Sequence, residues 1–192
     1  MRCKNPPDSV KHTLMAVQGK LLSAIWELIM GGQVGIAENA GVAMGRLAQI
    51  DGAGFGASTV VGQDIALWLG AIGNVYDRQE KADAFLGCIQ AIMGNSDILM
   101  GETHRPGSLS ALFMCIASFH VDPQEDGGFT PVTSDHLHGP FLFKAFPGDM
   151  VELDGAIRQL LGEVRRGMGP EFGKVVERLP GNVRKLMQQS YS

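Results

Sequence analysis

LMAVQGKLLSAIWELIMGG, residues 14–32, decides the fold class of this 192-residue chain. Its apolar positions Leu14, Val17, Leu21, Ala24 and Leu28 step by three and four, the spacing that lines one face of an α-helix. Leu22, Ile25 and Ile29 widen that face into a packed stripe. Asp8 or Ser9, at the end of a polar leader over residues 1–8, can cap the helix, and Gly31-Gly32 ends it.

The same period recurs along the chain. A second helix is predicted over Ile36 to Ile50, with Ala37, Gly41, Gly45 and Ala48 forming a ridge of small residues. Asp51 to Ser58 is a glycine-rich connection. A third helix, capped by Ser58 or Thr59, carries Val61, Ile65, Leu69, Ile72 and Tyr76, with Gly62, Ala66 and Gly70 as a second small ridge. Interior glycines cost about 0.5–1 kcal/mol each relative to alanine, so close helix crossing is the benefit expected to offset them. Asp77 to Lys81 reads as a polar break. Ala82, Phe85, Ile89 and Ile92 mark a fourth helix, and Leu109, Leu112, Ile116 and Phe119 a fifth, entered through Pro106-Gly107-Ser108.

Residues 121–148 lose the period. They hold four of the nine prolines and the aromatics Phe129, Phe141, Phe143 and Phe146, with a short extended piece expected near 141–143. A long irregular segment inside a folded domain points to function or disorder, and its aromatics favour order. Helix returns at Met150 with Leu153, Ile157, Leu160 and Val164, breaks at Gly167 to Pro170, and resumes as Phe172 to Leu179 and Val183 to Met187. The expectation is a mainly α, compact bundle of about six to eight helices forming one domain over residues 1–192. Its last part, 150–192, is a set of basic helices.

Composition narrows the function. The chain is 45% hydrophobic and only 19% charged, with a mean hydropathy of +0.06. Too few charges cover the surface, so some apolar surface is expected to face a partner or a second copy. Cys3, Cys88 and Cys115 form no disulfide framework and no metal-type pair, and fit a reducing compartment. No apolar run is long enough to cross a bilayer, and residues 1–8 do not read as a secretion signal. A cytoplasmic location without membrane contact follows. Residues 1–154 hold 9 Lys/Arg against 17 Asp/Glu, whereas residues 155–192 hold 7 against 3.

Chemistry concentrates in one stretch. Four of the five histidines fall between residues 104 and 138, and Asp135-His136-Leu137-His138 on an extended backbone would present both rings on one face. His104, His120, His136 and His138 are therefore the candidate ligands for a divalent metal such as zinc, iron or manganese, in a hydrolase or oxygenase. The competing reading has these residues solvated or bonded to loop backbone. No Gly-x-Ser-x-Gly elbow occurs, and buried thiols are poor nucleophiles, so no catalytic residue is assigned. Gly52 to Gly56 lacks the spacing of a phosphate loop. Arg158, Arg165, Arg166, Lys174, Arg178, Arg184 and Lys185 could meet the phosphates of a nucleic acid. Interleaved Glu163, Glu171 and Glu177 make ordinary helix-surface pairing the simpler account.

The functional expectation is a non-enzymatic, protein-binding regulatory or inhibitory protein of bacterial or phage type. It self-associates as a homo-oligomer through Gly41, Gly45, Gly62, Ala66 and Gly70, with no cofactor. The metal enzyme and the nucleic-acid binder are its two alternatives.

Overall fold

A computed structural model describes residues 8–51, 55, 64–101, 105–121 and 143–191, with side chains from residue 19 in the first helix and from residue 107 in the sixth. Among these residues every regular element is helical and none is a strand, so the mainly α expectation holds. The helices are α1 (Asp8–Met30), α2 (Val34–Ala48), α3 (Ile65–Asn74), α4 (Arg78–Gly94), α5 (Asp97–Met100), α6 (Arg105–Ala117), α7 (Val151–Met168), α8 (Glu171–Glu177) and α9 (Gly181–Ser190). A 3-10 turn, Ser118–His120, continues α6.

Helix α1 stops where its sequence says it should. Gly31 donates its N–H to the Glu27 carbonyl at 2.9 Å, and Gly32 takes the left-handed φ of 69° that a side chain would resist. Helices α3 and α4 begin at acidic caps. An Asp64 side-chain oxygen accepts from the Ala66 N–H at 3.1 Å, and Asp77 accepts from the Glu80 N–H at 2.8 Å. The expected break over Asp77 to Lys81 is therefore the first turn of α4. Asp77 with Glu80 three residues on is the capping pattern, and capped polar residues start a helix as readily as they interrupt one. The third helix runs from Ile65 with Asp64 as its cap, the expected caps Ser58 and Thr59 lie outside the described residues, and Tyr76 lies beyond its end, exposed. Val61 and Gly62 lie outside the described residues, as do Phe141 and Leu142 of the expected extended piece. Phe143 is in an irregular stretch.

The tightest crossing joins α2 to α4. Gly45 and Gly87 touch backbone to backbone, and a Cβ on either would overlap the other helix's main chain. Arg46 pairs with Glu80 at 3.0 Å beside this point. Gly41 sits against Ala71 of α3, and its carbonyl accepts from the buried Trp68 indole at 3.1 Å. The small residues of α2 thus bring α3 and α4 close, as the glycine cost predicted. Helix α6 lies against α3 and carries α9, while α7 packs on α4. One contiguous apolar cluster runs from Leu22 in α1 to Tyr191 after α9, joined by ring contacts such as Phe85–Phe119 at 5.7 Å and Phe113–Phe172 at 6.0 Å.

Candidate functional site

Helix α1 has two apolar rows, and only one is covered. Leu22, Trp26 and Ile29 are buried against the body, with Ile25 half-buried beside them. Leu21, Ala24 and Leu28 face outward. This corrects the expected stripe: the row named first as packed is the outer one, and the row said to widen it is the core contact. The row centres differ by about 120° around the helix axis at 3.6 residues per turn, so both cannot face the same neighbour. Other large apolar side chains are exposed on either side of the turn. Leu28 is 49% exposed, Met30 61% and Val34 55%, and Leu21 and Ile36 are also exposed. Full burial of such a side chain from full exposure is worth about 1.5–3 kcal/mol, so these part-exposed ones would each gain roughly half of that. Leu67, Tyr76, Met93 and Val151 are exposed elsewhere on the described surface.

His120, the one candidate metal ligand inside the described residues, is spoken for. Its Nδ1 lies 2.7 Å from the Lys144 carbonyl, which can only accept, so this nitrogen carries the proton. Its Nε2, 3.0 Å from the Tyr191 hydroxyl, then accepts that hydroxyl's proton. Burial holds the imidazole's pKa below its ordinary value, partly opposed by the Lys144 carbonyl and Asp154. A neutral ring with both nitrogens bonded is a satisfied core histidine, and coordinating a metal would break one of these bonds. His104, His136 and His138 lie outside the described residues. Among the described residues no group of three His, Cys, Asp or Glu side chains could hold a metal ion.

The basic residues of the C-terminal helices mostly serve the protein itself. Arg158 bonds Asp154 at 2.9 Å and the Ser190 carbonyl at 2.8 Å and lies 5.2 Å from the Tyr191 ring centre. Arg165 bonds the Tyr191 carbonyl at 3.1 Å and stacks on Phe172 at 5.1 Å. Together with His120 these two arginines pin the end of α9. Arg166 pairs with Glu163 and Lys174 with Glu171, while Arg184 donates to the Glu177 carbonyl at 3.2 Å. Arg178 and Lys185 are exposed. The residues expected to mediate self-association divide as well. Gly41 and Gly45 face other helices of the same chain and so cannot meet a second copy, Ala66 is half-buried, Gly70 is exposed with open space beside it, and Gly62 lies outside the described residues.

One group was missed by the sequence reading. Lys81 of α4 is only 7% exposed, and its ammonium lies 5.4 Å from the centre of the Phe119 ring. Burial lowers its pKa from the ordinary 10.5 to about 8, with Arg78 adding to the fall and Cys115 and Glu38 opposing it. Glu38 of α2 has one carboxylate oxygen buried without a hydrogen-bond partner, and burial raises its pKa against the pull of Lys81. Burial also pushes the Cys115 thiol up to about 12 and raises Cys88 well above its usual value. Both thiols stay protonated and unreactive. The available signal was phase: Lys81, Phe85, Cys88 and Ile92 step by four, three and four, so the lysine lies in line with the core. A cavity of about 230 Å³ opens beside Phe113, Leu161, Phe172 and Met187, but Arg165 on its wall is already committed to Tyr191 and Phe172. No protein-family model matches the chain, and no curated protein or solved structure matches it.

Proposed function

We propose that this chain acts by binding protein through the outer face of α1 and the start of α2, and that it regulates or inhibits what it binds. The observation that carries this reading is the group of exposed large apolar side chains Leu21 and Leu28 on the outer face of α1, Met30 at its end, and Val34 and Ile36 at the start of α2. Water-exposed apolar side chains spread singly need no explanation, whereas several gathered about one helix end do. The rest of the site geometry supports it by contrast. His120, Arg158 and Arg165 are engaged in holding the C-terminus, and Cys115 is a buried, protonated thiol. Two free, buried thiols, Cys88 and Cys115, suit a reducing cytoplasm.

The reading is tested by placing a photo-crosslinking phenylalanine analogue at Leu28, with Gln159 on the exposed side of α7 as the control position. A discrete protein adduct from position 28, absent from position 159 and lost when Leu21 is changed to serine, is the expected result. The same diffuse background from both positions would count against a binding face on α1.

A further inference from the structure

We infer that the occupant of the α1 face is a second copy of this chain, its α1 running antiparallel to the first across a two-fold axis; this rests on the protein-binding reading above. Three observations select a helix, and this helix, as the partner. The first is the spacing. Leu21, Ala24 and Leu28 step by three and four, and the sequence carries the same steps back through Val17 and Leu14. Their mean period of 3.5 residues, which the inward row Leu22, Trp26 and Ile29 shares where it packs on the body, keeps a seam facing one neighbouring helix along its length. The second is length. At 23 residues, α1 extends about 34 Å, enough for a paired helix to bury the whole row.

The third is charge. Lys20 and Glu27 are both exposed, lie on the same flank of the outer row, and sit seven residues apart with opposite signs. Under an antiparallel two-fold, this flank meets its own copy. Lys20 then faces Glu27 of the second copy, and Glu27 faces Lys20, so the pair is formed twice. In the same register Leu21 lies opposite Ala24 of the second copy, a large residue against a small one, which lets the two axes approach. A parallel, in-register pair would instead bring the charged flank to the opposite flank, where the sequence offers Gln18 and Ile25 and no charge. Of the described elements, α2 and α3 pack on α1, against its inward row.

Sedimentation equilibrium on the full chain tests this with charge reversals that leave the core untouched. The wild type is expected to show a concentration-dependent monomer–dimer equilibrium. Lys20→Glu and Glu27→Lys are each expected to weaken it about tenfold, since each turns two attractive pairs repulsive. An equimolar mixture of the two variants restores full affinity, because every facing pair is then complementary, and so does the double variant in one chain. Circular dichroism checks that each variant keeps its helix content. A strictly monomeric wild type overturns the inference, as do single reversals that associate like the wild type or a mixture no tighter than its components. If the wild type is monomeric while a crosslinker at Leu28 still gives a discrete adduct with another protein, self-pairing falls and the binding face stands. If neither dimer nor adduct forms, both fall.

Discussion

At the scale of single residues, Lys81 is the one fully buried charged side chain among the described residues. Lys81 contributes its aliphatic stem to the core, but its ammonium has lost most of its water, and a shift from 10.5 to about 8 corresponds to about 3 kcal/mol of penalty on the charged form. The sign of its pH dependence follows. Between pH 8 and 10.5 the unfolded chain holds more protons at this lysine than the folded one, so its contribution to stability rises with pH through that window and is least favourable below it. Lys81→Met keeps the volume and removes the charge. Denaturant unfolding at pH 7 is expected to show the variant more stable by about 1–3 kcal/mol, with the gap closing as pH is raised from 8 to 10.5. A destabilised variant would show that the ammonium has a favourable partner in the core, and an equal gap at every pH would show that its pKa is the same in the folded and unfolded chain. His120 works in the same direction at lower pH: its depressed pKa gives stability that is present above 6.5 and lost as pH falls toward the folded value. The sequence suggested His120 for another reason, the crowding of histidines between 104 and 138. That crowding is linear, and nothing in a sequence tells whether a ring's two nitrogens are already bonded to a carbonyl and a tyrosine.

At the scale of elements, the helices were legible and their faces were not. Helix α1 was set by its period and its terminal glycines, yet Leu21 and Leu22 are the same residue type one position apart, and only the neighbours α2 and α3 decide which row goes inward. The start of α4 was misplaced because its capping Asp77 and Glu80 resemble a solvated turn. The small residues of α2 were read correctly as a device for close approach, but the sequence could not name the approaching helix, which is α4 of the same chain. The glycines of the two ridges should therefore respond oppositely to alanine. Gly45→Ala forces a methyl into the α4 backbone at Ala84 and is expected to cost about 3 kcal/mol or more. Gly70→Ala, on the exposed side of α3 with open space around it, is expected to gain about 0.5–1 kcal/mol. Thermal melts of the two variants check both; equal effects would mean that α2 and α4 do not cross at Gly45.

At the scale of the whole molecule, the low charge content raised the expectation of exposed apolar surface, and the described residues carry some on the outer face of α1 and some at Leu67, Tyr76, Met93 and Val151. The charge asymmetry was legible too, though its use was not. The basic excess after residue 155 is largely consumed in holding Tyr191 and in short helix pairs with Glu163 and Glu171, because arginines that follow carboxylates by three or four residues find them first. Over its described side chains, α1 is buried along its inner face and exposed along its outer one. The most direct measurement is the mass in solution of the wild type beside Leu28→Asp, a charge placed in the outer row, by light scattering over a range of matched concentrations. A wild type whose mass rises toward twice the chain mass and a variant that stays at one chain mass, with helix content by circular dichroism unchanged, is the result expected. Equal masses for the two proteins would contradict an α1 face built to be covered.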